Sequence, residues 1–223
     1  NFIVLADEIY SDLNFNKSYQ SISHFYPTRT IVSNGLSKWC GAGGWRLGYF
    51  AIPDDLNNLN NTISNLATET FSAVATPIQY AAIKAYESNQ EDYLSKSKII
   101  LRKIAEEAYK KLNTNNIKVI MPEGGFYIMP DFSDLLDKYF KSSEEMCNQL
   151  LIDTGVAVLP GSDFGFKKNK LICRLSYVDF DGEKFLNSIK KTEILKTAHI
   201  NEFAPKVMEG IDKIVEWSSK LSK

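Results

Sequence analysis

The sequence predicts an α/β protein: a first part built on a mostly parallel sheet, then a smaller α+β part at the carboxyl end. A continuous apolar run bounded by charge, Phe2 to Ala6, has the pattern of a strand buried in a parallel sheet. Two segments with helical periodicity, Ile78 to Tyr86 and Glu91 to Leu112, follow further strand-like stretches. From Asn113 the character changes to short strands and turns with no intervening linker, which sets the boundary between domains 1–112 and 113–223.

Asp7 ends the first strand, where open α/β sheets place their ligands. Asn14 to Pro27 is polar, aromatic and loop-like, and its His24 reads as a surface or core histidine. Thr30, Ile31 and Val32 form a strand, Leu47 to Ile52 another, and the segment GLSKWCGAGGWRLGY, residues 35–49, spans the connection between them. Pro53 stops the second strand, and Asp54 can cap a helix carrying Leu56, Leu59, Ile63 and Leu66, although its asparagines are poor helix formers. The helix from Glu91 has an apolar stripe of Leu94, Ile100, Leu101, Ile104, Ala108 and Leu112 and is expected to bridge the two domains.

Beyond it, Val119 to Met121 and Phe126 to Met129 read as strands around the turn at 122–125, with Tyr127 a packed strand residue rather than a catalyst. Ser142 to Glu145 is a capping-box pattern opening a helix that ends near Gly155. Val156 to Leu159 and LICRLSY, residues 171–177, are strands. Arg174 interrupts the second, and an arginine in a buried strand needs an anion, either a structural ion-pair partner or a ligand. Helices over Glu183 to Lys191 and from Pro205, with Val207, Ile211, Ile214, Val215 and Trp217 on one side, close the chain.

The 223 residues, 44% hydrophobic and 24% charged, suit an ordinary globular protein. Lys and Arg number 26 against 27 Asp and Glu, so no basic excess points to nucleic acid or an anionic membrane; a small-molecule partner is expected. Cys40, Cys147 and Cys173 lack metal-ligand spacing and read as reduced thiols, so no metal is expected. No apolar run approaches a membrane span, and the start lacks the pattern of a secretion signal, so the cytoplasm is the expected location. The chain opens in a strand without an initiator methionine and is read as the later part of a longer protein.

The segment 35–49 carries the chemistry. Its glycines permit positive φ and close backbone approach to a bound group. An amine in a partly desolvated, cation-rich pocket can attack an aldehyde, which suits Lys38, and the planar fork of Arg46 matches phosphate oxygens two at a time. Together they suggest an aldehyde that bears a phosphate. Gly35, Leu36, Ser37, Lys38, Gly41, Ala42, Gly44, Arg46, Leu47 and Gly48 resemble the lysine-site signature of the class I and II aminotransferases, the aspartate aminotransferase-like, fold type I enzymes that use pyridoxal 5'-phosphate. DEIYSDL at 7–13, PEGGFYIMPDF at 122–132 and the R-L-S strand at 174–176 resemble further motifs of that family, in its order.

The resemblance implies a site. Lys38 would hold the cofactor as a Schiff base and move the proton at the substrate's Cα; Asp7 would pair with the protonated pyridine nitrogen, and Tyr10 would donate to the ring's phenolic oxygen. Arg46 would bind the phosphate, assisted by Ser37 or Ser33, because Gly35 stands where the family often has a serine or threonine. Arg174 would hold the α-carboxylate, and Thr68 to Thr76 resembles a hydroxyl-rich segment that reaches the neighbouring subunit's phosphate. The implied reaction is transfer of an amino group from an amino acid to a 2-oxo acid, by a homodimer when full length. Residues 1–112 would be the later part of the cofactor-binding large domain and 113–223 the small carboxyl-terminal domain. The family's first half, with its phosphate-binding turn, ring-stacking aromatic and an asparagine on the phenolic oxygen, has no counterpart here. The same residues would serve a lyase acting by β-elimination, or a non-catalytic cofactor-binding effector domain.

Overall fold

The computed structural model describes residues 2–16, 19–135, 138–190 and 194–221. The chain divides into two compact units, Asn1–Ser95 and Lys96–Lys223, and the division falls inside a long helix rather than at its end.

In the first unit, β1 (Val4–Asp7) runs parallel to β2 (Thr30–Gly35), with Val4 opposite Thr30 and Asp7 opposite Ser33. β3 (Gly48–Ala51) lies antiparallel on the other side of β2, Gly35 opposite Gly48. One pair is thus parallel and the other is not, because the connection from β2 to β3 contains no crossover helix and simply turns back. Asp7 is the last residue of β1, at its carboxyl end as expected, but one expectation changes. The opening run is not buried: Leu5 is 64% exposed, and Phe2 and Ile3 are exposed too. In β3, Phe50 is 52% exposed.

After Pro53 the chain makes a 3-10 turn, Asp54–Leu56, and then α1 (Asn57–Thr70). Asp54 does not cap the helix with its side chain, and Leu66 is exposed, so the apolar positions of α1 do not form a buried stripe. The hydroxyls of Thr68 and Thr70 donate to carbonyls of their own helix, Ser64 and Leu66, at 3.0 and 2.8 Å. α2 (Thr76–Glu87) follows with Pro77 in its first turn. The buried cluster of this unit comes largely from the β2–β3 connection itself. Leu36, Trp39 and Ala42 pack with Ala82 of α2, joined by Cys40, Leu47, Ala85 and Leu94.

α3 (Glu91–Leu112) has the bounds its periodicity predicts. In the second unit its Ile100, Leu101, Ile104, Ala108 and Leu112 are buried. A three-stranded antiparallel sheet of order β4-β6-β5 follows from β4 (Tyr127–Ile128), β5 (Leu159–Pro160) and β6 (Cys173–Ser176). Val119 to Met121 is not a strand: the isolated bridges before it, Thr114 with Ile117 and Lys118 with Asp131, do not extend into it, and Ile120 is 87% exposed. α4 (Ser143–Thr154) begins as its capping pattern requires, Ser142 Oγ accepting from the Glu145 N–H at 3.2 Å, and ends at left-handed Gly155. The Glu145 carboxylate accepts instead from the Lys141 N–H, one residue before the cap.

α5 (Gly182–Ser188) is shorter than expected; Lys191 lies outside the described residues. α6 (Thr197–Phe203) was not expected, and α7 (Pro205–Leu221) buries Val207, Ile211, Ile214 and Trp217 as its periodicity predicts. Trp217 stacks on Phe140 with centroids 5.6 Å apart and donates from Nε1 to Asp153 Oδ2 at 2.8 Å, tying α7 to α4. The three cysteines are free thiols.

Glu107 is a buried acid in this unit, held by Lys103 at 2.7 Å and Lys110 at 3.2 Å. Burial pushes its carboxyl up, but hydrogen bonds and charge from the two lysines outweigh that and hold it below the ordinary range. A depressed folded pKa stabilises the fold above the unfolded value of about 4.3 and loses that contribution as pH falls through the folded value. Glu107→Gln is therefore expected to cost about 1.5–3 kcal/mol at pH 7 in urea unfolding. The gap from wild type should close below pH ~4.

Candidate active site

The strand ends of the first unit converge on one loop. β2 finishes at Gly35 and β3 begins at Gly48 directly opposite, so both ends of the connection 36–47 are fixed by one pair of glycines. A Cβ at Gly35 would lie 2.6 Å from the Leu47 carbonyl oxygen and 2.9 Å from the Gly48 Cα, too close for any side chain. Backbone bonds close the loop further: Leu36 N–H to Leu47 O at 3.2 Å, Ala42 N–H to Leu36 O at 3.3 Å, and Trp45 N–H to Ala42 O at 3.0 Å.

Leu36, Trp39 and Ala42 turn inward at a spacing of three and anchor the loop, while Ser37 and Lys38 between them are half-buried. Trp39 also packs on Tyr86, with ring centroids 5.3 Å apart. That anchoring was missed in the sequence, where the glycines drew attention from the apolar positions among them. Gly41 has φ +65°, and a Cβ there would meet the Tyr93 hydroxyl at 3.4 Å.

Lys38 Nζ lies over the Tyr10 ring, 5.6 Å from its centroid. Tyr10 follows β1 by one short turn, whose start is marked by Asp7 Oδ1 accepting from the Ile9 N–H at 3.4 Å. The Glu8 N–H donates to the Ser33 carbonyl at 2.9 Å, which holds this turn to β2. Asp7 is exposed at the carboxyl end of its strand, as a ligand role requires. Ser33 lies in β2 opposite Asp7, whereas Ser37 shares the turn with Lys38.

Arg46 has φ 55° and ψ 46°, the left-handed region that costs a residue with a Cβ roughly 1–2 kcal/mol. Its Nη1 donates to the Gly43 carbonyl at 2.8 Å and the side chain is exposed. Strain at an observed outlier is a mark of function when the residue carries chemistry. Cys40, two residues after Lys38, has its thiol pushed up by burial and stays protonated, so it does not compete as a nucleophile.

Amine, phenol, carboxylate, hydroxyl and guanidinium thus stand on adjoining ends of one sheet. That donor set fits a pyridine ring carrying an aldehyde, a phenolic oxygen and a phosphate. Arg174 belongs to the second unit, and the structure corrects its setting. Its neighbours Cys173 and Leu175 are buried, but Arg174 itself is half-buried, and among the described residues no carboxylate forms an ion pair with it. It lies instead over the rings of Tyr127 and Phe164. The part played by Phe164 was not visible in the sequence. His24 is exposed and packs edge-on against Phe25.

Comparison with known proteins identifies the family and the fold. The profile of the family described as aminotransferase class I and II matches residues 1–181. The chain is 38% identical over 171 residues to an aspartate aminotransferase of Bacillus sp. (strain YM-2), covering 74% of this chain and 43% of that protein. It is 30% identical over 203 residues to a probable N-acetyl-LL-diaminopimelate aminotransferase of Bacillus subtilis (strain 168), covering 88% of this chain and 50% of that one. Among solved structures, the alanine aminotransferase from Pyrococcus furiosus superposes with a TM-score of 0.76 at 26% identity, over 98% of this chain and 49% of that one. The chain spans about half the length of the relatives it matches.

Two substitutions test the loop. Gly35→Ala must push β2 and β3 apart and is expected to destabilise by about 1–3 kcal/mol in denaturant unfolding. Arg46→Gly relieves the left-handed strain and is expected to unfold no earlier than wild type, gaining up to about 1 kcal/mol. A clear loss of stability would show that the guanidinium's bond to Gly43 outweighs the strain.

Proposed function

Since the chain belongs to the class I and II aminotransferases, we propose that it carries the lysine-bearing part of a site that moves an amino group from an amino acid to a 2-oxo acid with pyridoxal 5'-phosphate. The observation that carries the reading is Lys38 Nζ over the Tyr10 ring, on the loop that follows the strand paired with Asp7's. Bound there, the cofactor supplies an electron sink that loosens the bonds at the substrate's Cα.

The chain's own groups then have distinct tasks. Lys38 Nζ would hold the cofactor at its aldehyde carbon and, as a free amine, would move the proton at the substrate's Cα. Asp7 keeps the pyridine nitrogen protonated, which strengthens the sink. Tyr10 donates its phenolic proton to the ring oxygen. Arg46 and the Ser37 hydroxyl bind phosphate oxygens. Arg174 holds the substrate's α-carboxylate with two parallel N–H bonds, which fixes the direction of the Cα–H bond relative to the ring.

The reading includes residues 1–112 as the later part of a cofactor-binding large domain and 113–223 as a small carboxyl-terminal domain. It also includes a cytoplasmic homodimer for the full-length protein. In support, no helix among the described residues is long and apolar enough to cross a membrane. No arginine occurs between Arg46 and Arg102, so α1 and α2 offer no guanidinium for a second substrate carboxylate.

The test is an absorbance spectrum of the purified chain with pyridoxal phosphate, before and after borohydride, followed by peptide mapping. A visible band that borohydride bleaches while fixing the label on Lys38 is expected, with neither band nor label in Lys38→Ala. A label spread over several surface lysines, unchanged in Lys38→Ala, would remove the basis for the reading.

A further inference from the structure

Arg174 is held by aromatic faces. Its Cζ is 4.3 Å from the Tyr127 ring centroid and 4.0 Å from that of Phe164. Tyr127 stands on β4 and Phe164 ends the 3-10 turn that follows β5, so one ring comes from a strand that flanks β6 and the other from the turn after the second flanking strand. Tyr127 pairs with Ser176 and Leu159 with Arg174, which ties both supports to the arginine's own strand by backbone hydrogen bonds. Tyr127 also packs against Phe126, with centroids 4.7 Å apart.

All five N–H donors of a guanidinium lie in its plane, and its faces are weakly hydrated. Rings that cover the faces occupy no donor and remove little hydration. What remains is the edge, whose fork fits a carboxylate bidentately. A surface ion pair would do the opposite, consuming that edge, and among the described residues Arg174 has none.

We infer that Tyr127 and Phe164 are positioning residues, which clamp the guanidinium of Arg174 so that its free edge is presented to the substrate's carboxylate. The inference rests on the carboxylate-binding reading of Arg174 and adds the residues that make it work. They act through the arginine and need not touch the substrate.

The experiment uses the whole 223-residue chain labelled with 15N, the Arg174 Nε–H signal being assigned by its loss in Arg174→Lys. Pyruvate, a monocarboxylate 2-oxo acid, is titrated while that signal and its heteronuclear NOE are followed. In wild type the signal is expected to be ordered and to shift saturably. Tyr127→Leu and Phe164→Leu should each weaken pyruvate by about three- to tenfold and lower the NOE of Arg174 alone among the arginines. Tyr127→Phe, which keeps the ring face, should bind as wild type. Because the leucine variants could fail to fold, pentafluorophenylalanine at 164 provides a second probe: the same shape with the ring's charge distribution reversed, expected to weaken pyruvate comparably.

Undiminished pyruvate binding and order in the leucine and fluorinated variants would overturn the clamp while leaving the role of Arg174 intact. An Arg174 signal that ignores pyruvate in wild type would overturn the carboxylate reading, and the clamp with it.

Discussion

Gly35 and Gly48 face each other across β2 and β3 so closely that a side chain on Gly35 would run into backbone. Much of the site depends on that contact. It fixes both ends of a connection that has no regular secondary structure of its own beyond one 3-10 turn. A loop pinned so tightly at its base has little freedom left in its middle. Leu36, Trp39 and Ala42 then use that restriction to build the unit's buried cluster out of the loop itself. Lys38 is therefore carried by a packed part of this unit, which is how a surface loop achieves the precision usually reserved for strands and helices.

Legibility from sequence followed the range of the interactions involved. α3 and α7 were readable to within their bounds because helical periodicity is local, and the start and stop of α4 because Ser142, Glu145 and Gly155 act on their own backbone. The family was readable because Lys38, Arg46 and the glycines stand together in one short segment. What failed was what needed a third dimension. Leu5 and Leu66 look like core in one dimension and are exposed in three, because apolarity in a strand or helix does not say what covers it. Val119 to Met121 has strand composition, but the isolated bridges before it do not extend into it. The partners of Arg174 come from positions far apart in the chain, and nothing local distinguishes the Phe164 of a turn from any other aromatic.

Arg46 and Arg174 are supported in opposite ways. Arg46 is set by backbone: a left-handed residue whose side chain bonds a carbonyl three residues back. Arg174 sits on a regular strand and is set by side chains from a neighbouring strand and a turn. The first arrangement stores strain in the loop, and the second needs none. Each suits its expected anion, since a phosphate is met by a fixed loop and a substrate carboxylate by a stiffened but unstrained side chain.

The three-stranded sheet of the first unit pairs β1 and β3 on one side each, so among the described residues both of its edges are open. Leu5, Tyr49 and Phe50 stand exposed on those strands. Water can satisfy the unpaired N–H and C=O groups of an edge, but it does not relieve the apolar side chains beside them. A net charge of −1 offers little repulsion to keep copies apart. The colloidal behaviour of this chain is therefore governed by its strand edges rather than by its charge, and dilution will do more than low salt to keep it dispersed.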